Sequence, residues 1–208
     1  HIPCSAAFHL QPENITYNIH MGRAKWLSDL IYFWMRKSFY DEFSHIHCPS
    51  KFIADQLEKH RYRAKLHIIS NGVTEEFQPE NKPKTDALFH ILMIGRLSPE
   101  KRQDLLLKAA KKSKYSDRIQ LHFAGTGPNE KALKKQGASL KHPPVFGYYQ
   151  KGQLLDLIHT SDLYVHTSDA EIEAIACLEA VACGLVPVIS DSQKSATSQF
   201  ALDSRSTF

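Results

Sequence analysis

A chain of 208 residues that is 42% hydrophobic and 23% charged has the composition of a folded globular protein, with room for one large domain or one complete domain plus part of another. No apolar stretch approaches the roughly 20 residues of a membrane-spanning helix, so no segment is expected to cross a bilayer. The net charge of +4 is spread thinly apart from local bunching at Lys111, Lys112 and Lys114. It suits a phosphate-bearing substrate or an anionic membrane surface, and without a helix-turn-helix, zinc-finger or RNA-binding signature nucleic acid is not an expected partner.

In chain order, the opening His1-Ile2-Pro3-Cys4 carries neither a starting Met nor a charged-then-apolar leader, so the chain is expected to begin inside a longer one. A strand ends near Phe8 and gives way to a loop. A long aromatic helical region follows at Lys25–Phe43, then a strand at His45–Cys48, a helix at Lys51–His60 and a strand at Leu66–Ser70. Asn81-Lys82-Pro83-Lys84 breaks the periodicity and places a linker near Val73–Asp86. Beyond it, strands are expected at Leu88–Ile94, Ile119–Ala124, Val145–Tyr148, Leu163–His166 and Val186–Ser190. Helices are expected between them at Asp104–Lys112, Asn129–Gln136, Gly152–His159 and Ile172–Ala182. This alternation argues for an α/β fold with a parallel sheet, whose ligands bind outside the carboxyl ends of the strands.

Four cysteines, Cys4, Cys48, Cys177 and Cys183, form no C-x-x-C pair and no regular spacing, as in reduced, cytosolic chains. His45, His47 and Cys48 lie close together but alternate across a strand, and no second ligand pair follows at a useful spacing, so no metal site is expected.

The segment Gly95-Arg96-Leu97-Ser98-Pro99-Glu100-Lys101 follows directly on a strand. Its glycine lets the backbone approach a ligand, and Ser98 with Pro99 reads as the cap and first turn of the next helix. Arg96 and Lys101 beside a helix start, with its free amides, suit a diphosphate; a solvated basic loop is the alternative. Glu171 and Glu179 are eight apart, slightly over two helical turns. Either both share a helix face, or Glu171 lies in the loop before it and the two carboxylates reach a polyhydroxyl ligand from different heights. An ordinary acidic helix start explains them as well. Gly125-Thr126-Gly127-Pro128 lacks the third glycine and the acid of a dinucleotide fingerprint, and reads as a tight turn against which a base could lie. Ser70-Asn71-Gly72 reads as turn geometry.

Together these segments resemble the retaining glycosyltransferases of family 4. The resemblance runs from Ile69–Val73 through Gly95–Lys101, Gly125–Pro128 and Thr167–Glu171 to Glu179-Ala180 and Gly184–Val188. Phe8–Asn18, His47–Ile53, Glu173–Ala180, Ser195–Thr197 and Gln199–Asp203 look like bacterial lipid glucosyltransferases. They are most similar to cholesterol α-glucosyltransferases, and diacylglycerol glucosyltransferases share much of the pattern. The resemblance implies the GT-B architecture of two Rossmann-like domains with parallel sheets. Residues 1–78 would be the later part of an acceptor-side domain, only partly present, and residues 79–208 a truncated nucleotide-sugar-binding domain.

It further implies that Arg96 and Lys101 bind the donor diphosphate, Glu179 the ribose and Glu171 the hexose hydroxyls, with Gly95, Gly127 and Ser168 completing the donor site. His9 matches a histidine that lies at the sugar, which with Glu171 places it close to the reacting centre. Two departures stand out: the usual glycine-rich stretch after Glu171 is Ile172-Glu173-Ala174, and Glu173 adds an acid with no assigned role. The implied reaction moves glucose from UDP-glucose to a lipid hydroxyl with retention of configuration. No D-x-D motif is present, so no metal or other cofactor is expected, and no carboxylate reads convincingly as a nucleophile. Residues 23–37 interleave Arg23, Lys25, Arg36 and Lys37 with Trp26, Leu27, Leu30, Ile31, Phe33, Trp34 and Met35, which suits peripheral contact with the inner face of the cytoplasmic membrane or packing within the domain. Two other readings stay open, a non-catalytic remnant that binds nucleotide sugar and another sugar-nucleotide enzyme such as an epimerase.

Overall fold

The computed structural model describes residues 4–19, 21–22, 24–84 and 86–208. Its chain forms two units, one of His1–Asn71 with Ala170–Ala174 and Ser192–Ala196, the other of Gly72–Asp169, Ile175–Asp191 and Thr197–Phe208. Arg23, one of the basic residues of the aromatic stretch, lies outside the described residues.

In the first unit, β1 (Ala6–Ala7), β2 (His45–Cys48) and β3 (Lys65–Ile68) form a parallel sheet in that order. Between them run α1 (Pro12–Asn18), α2 (Lys25–Ser38) and α3 (Lys51–Lys59). The period of two along β2 sends Ile46 and Cys48 into a core with Phe8, Tyr32, Tyr40, Ile53 and Leu57. Burial pushes the Cys48 thiol up to about 11, so it packs as a small apolar side chain. His45 and His47 face the other way. His45 Nδ1 meets His67 Nε2 at 2.8 Å and His47 Nε2 meets the Ile69 carbonyl at 2.6 Å. Ser50 caps α3 by accepting from the Ile53 amide at 3.3 Å.

The structure corrects the sequence reading here in three places. The loop expected after Phe8 contains α1, which begins at Pro12, a residue whose missing N–H costs nothing in a first turn. The aromatic helix stops at Ser38, and a 3-10 turn at Tyr40–Glu42 follows. Strand β3 ends at Ile68 rather than Ser70.

In the second unit a five-stranded parallel sheet has the order β6-β5-β4-β7-β8, from β4 (Phe89–Ile94), β5 (Ile119–Ala124), β6 (Val145–Gly147), β7 (Leu163–His166) and β8 (Pro187–Ile189). The connecting helices are α4 (Gln103–Lys112), α5 (Glu130–Gly137), α6 (Lys151–His159) and α7 (Ile175–Ala182). Ile91, Met93, Leu121, Phe123 and Val165 pack on one face with Leu106 and Leu107 of α4 and Leu133 of α5. Leu92 and Tyr164, paired in register and pointing the other way, are also fully buried. A parallel sheet buried on both faces explains the continuous apolar runs of its central strands. The chain builds outward from β4 to β6, then returns beside β4 with β7, and that reversal opens a crevice at the carboxyl ends of the strands.

Candidate functional site

The cleft at those carboxyl ends, about 540 Å³, is lined by Ile94, Gly95 and Arg96 after β4, Ala124–Gly127 after β5, Tyr148 and Tyr149 after β6, and Leu154 of α6. Its size suits a nucleotide. Its floor is backbone. Strand pairing continues past the strands, with Gly95 N donating to Ala124 O at 2.9 Å, Leu97 N to Thr126 O at 2.9 Å and Gly125 N to Gly147 O at 2.7 Å. Only glycine permits this crossing. A Cβ on Gly125 would lie 2.1 Å from the Gly95 carbonyl oxygen, and one on Gly127 would lie 2.4 Å from that of Leu97. Gly125 also sits at φ +151, where L side chains are rare. The two glycines are thus more than a turn: they let one loop's backbone lie on the other's.

The anion-attracting features differ from the expectation. Ser98 and Pro99 open a 3-10 turn at Pro99–Lys101, and α4 starts only at Gln103, after Arg102 in the left-handed conformation. The Ser98 hydroxyl donates to Glu100 and caps no helix amide. The amides of Gly95, Leu97, Ser98 and Lys101 all donate to backbone carbonyls. Those four amides therefore offer no free donor to the cleft. Arg96 is exposed on the cleft wall, and the aliphatic stem of Lys101 runs beside Gly95, 3.9 Å from where a Cβ would stand.

Behind these residues a network joins the loop after β4 to the end of β7. Thr167 Oγ1 donates to Lys101 O at 2.8 Å and Asp169 N to Glu100 O at 2.8 Å, while Arg102 reaches both Asp104 and Asp169 at 3.1 Å. Ser168 is buried between Thr167 and Asp169, and its hydroxyl finds no partner among the described residues. Glu179 stands half-buried on α7, where burial raises its carboxyl above the ordinary value and Lys151 partly offsets that rise.

Gly95, Arg96, Lys101 and Gly127 are thus brought together, with Ser168 and Glu179 elsewhere in the same unit. His9 and Glu171 belong to the first unit. His9 is exposed, its ring 5.3 Å from that of His47. Glu171 is buried in the Ala170–Ala174 loop and makes a β-bridge with Ser195. Helix α7 begins at Ile175 and not at Ile172, so of the two arrangements the loop carboxylate and the helical one is found. The sequence reading passed over Tyr148, Tyr149 and Arg102. Two adjacent tyrosines after a short strand were the available signal for an aromatic wall. Among the described residues no group of three His, Cys, Asp or Glu is placed to hold a metal, and no helix is long and apolar enough to cross a membrane. No disulfide joins any of the four cysteines among the described residues.

Residues 73–203 match the family model of glycosyl transferases group 1, and residues 1–77 match that of glycosyltransferase family 4. The chain is 25% identical over 205 residues to the alpha-monoglucosyldiacylglycerol synthase of Streptococcus pneumoniae, an alignment covering 90% of this chain and 46% of that protein. The crystal structure of the catalytic domain of cholesterol-alpha-glucosyltransferase from Helicobacter pylori matches with 48% identity and a TM-score of 0.53, covering 58% of this chain and 76% of that one. Anabaena HepE, solved with UDP and glucose, shares the fold at 19% identity and a TM-score of 0.68, covering 91% of this chain and 53% of that one. The chain spans about half the length of the first of these curated relatives, 46%.

Proposed function

The chain belongs to the group 1 glycosyl transferases, and from that premise we propose that it carries the donor side of a retaining enzyme that moves a hexose, glucose by preference, from a UDP-sugar to a lipid hydroxyl. The observation that carries the reading is the backbone-floored cleft with Arg96 on its wall and Lys101 alongside. A uridine lies against the loop after β5 and the tyrosines, Gly95 and Gly127 leave room for its phosphates, and the two cations face the diphosphate. Glu179 holds the ribose, Ser168 offers a hydroxyl to the donor, and Glu171 takes the hexose hydroxyls. His9 serves the sugar at the reacting centre.

Departure of UDP gathers negative charge on the diphosphate, which fixed cations stabilise more in the transition state than before it. Loss of one such group costs about 3 kcal/mol, on the order of a hundredfold in rate. We assign no metal or cofactor to the step, because the sequence lacks a D-x-D motif and the cleft supplies its own cations.

The lipid acceptor is supported by the two glucosyl-lipid relatives and by α2. That helix buries Ser28, Tyr32 and Met35 and exposes Trp26, Leu30, Phe33 and Trp34, with Lys25 and Lys37 also exposed. Aromatic and basic groups on one exposed helix suit the headgroup region of an anionic membrane, here the inner face of the cytoplasmic membrane.

Calorimetric titration of the chain with UDP, UDP-glucose and GDP-mannose tests the donor site. Binding of the uridine ligands over GDP-mannose, weakened at least tenfold by Arg96→Ala, is the expected result. Equal affinity in wild type and R96A would remove Arg96 from the diphosphate.

A further inference from the structure

We propose that Glu173 is a positioning residue, a buried latch that fixes the Ala170–Ala174 loop on the Ser70–Asn71 turn and so sets where Glu171 stands. Both segments lie in the first unit. Glu173 is 1% exposed, and no cation pairs with it among the described residues; three neutral donors surround it instead. Its Oε1 accepts from the Ser70 hydroxyl and, at 3.0 Å, from the Asn71 amide. Its Oε2 accepts from Asn71 Nδ2 at 2.5 Å. Asn71 thus offers one donor to each carboxylate oxygen, a fork that defines orientation as well as distance. Hydrogen bonds to an ionised acceptor are about twice as strong as neutral ones, and a buried carboxylate needs them all in place.

The loop needs such an anchor. Ala174 adopts φ +63, a left-handed conformation that is strained for an L residue and that a glycine would take freely. Backbone groups tie the loop as well. Ile172 O accepts from the Ser50 hydroxyl at 2.5 Å and Glu171 O from the Ala196 amide at 2.9 Å. The Glu171 amide reaches Lys194 O at only 3.4 Å, and that carbonyl also accepts from Gln11 Nε2 at 2.8 Å. Glu173 thus gives the loop a three-donor side-chain attachment two residues from the carboxylate assigned to the hexose. A shift of about 1 Å in such a group can cost on the order of a hundredfold.

The inference rests on the donor reading for its functional half, and its test separates the two. In Glu173→Ala, hydrogen exchange of the Asn71 amide should quicken at least tenfold. The Kd for UDP-glucose should rise about tenfold relative to that for UDP, whose contacts are in the cleft. Glu173→Gln should recover most of the protection, because the Asn71 side chain can flip to accept from the new amide. Ser70→Ala, a milder change at an exposed residue, should quicken the same amide's exchange by a few-fold. Unchanged exchange at Asn71 in both alanine variants overturns the latch, and equal weakening of UDP and UDP-glucose overturns its action on Glu171. If wild type binds neither nucleotide, the donor reading falls, and exchange at Asn71 still decides the latch.

Discussion

Replacing Gly125 with Ala should show that the cleft floor is a steric construction. The new Cβ would stand 2.1 Å from the Gly95 carbonyl oxygen, where ordinary contact begins near 3.4 Å, so the two loops must separate by about 1.3 Å. Separation on that scale breaks the Gly95-to-Ala124 and Leu97-to-Thr126 hydrogen bonds, about 1 kcal/mol each. Holding Ala at φ +151 adds roughly 1–3 kcal/mol. The sum, about 3–5 kcal/mol, lies at the severe end for single substitutions and corresponds to a Tm lowered by roughly 10 °C in a chain of this size. Gly152→Ala is the control, since nothing lies within 4 Å of its Cβ and it sits in the first turn of α6. There the lower backbone entropy of alanine should stabilise by about 0.5–1 kcal/mol. Urea unfolding measures both changes, and titration with UDP reports whether the cleft survives in folded G125A. A G125A destabilisation below 1 kcal/mol, or UDP affinity equal to wild type, would refute the argument that backbone crossing builds the floor.

Three other outcomes follow from particular groups. Glu179 has a raised carboxyl pKa, so its proton returns as pH falls while ordinary glutamates are still ionised; UDP binding should weaken as pH falls, beginning while the pH is still above 4.5, and Glu179→Gln should flatten that limb in pH-dependent titrations. Burial, with the neighbouring His90, lowers His122 to about 4, so the unfolded chain binds the extra proton first, and stability present above pH 6.5 should decline by about 2 kcal/mol as pH falls towards 4. Unfolding curves of His122→Gln, which has no proton to gain, should lack that share of the decline. Replacing Trp26 and Trp34 with Ser should abolish flotation with anionic liposomes while leaving the circular dichroism unchanged, and undiminished flotation would remove α2 from the membrane contact.

What the sequence made legible follows from how local each cause is. Strands β5 and β7 stand where the apolar runs place them, because a strand buried in a parallel sheet needs little beyond its own side chains. The cleft residues Gly95 and Arg96 are likewise readable, since a glycine directly after such a run marks a close approach. The helix starts were not. Ile172-Glu173-Ala174 has good helix-forming residues, yet hydrogen bonds to Ser70 and Asn71, about a hundred residues away in sequence, hold it out of α7. Tertiary contacts override propensity there, as the left-handed Arg102 shows again before α4, tied to Asp104 and Asp169.

The same distinction divides the work of the cleft between main chain and side chain. With the amides of Gly95, Leu97, Ser98 and Lys101 bonded within the fold, the loops contribute shape but little free hydrogen-bonding capacity for phosphate from those four groups. On the proposed reading, attraction for an anion comes from Lys101 and from Arg96, whose exposure leaves it partly screened by salt. Glycine substitutions should therefore destroy the cleft together with stability, whereas substitutions of the two cations should weaken binding in a stable protein. Comparing unfolding and titration for each variant assigns every cleft residue to one class or the other. Arg96 in the first class would mean that its side chain supports the loop and not the ligand.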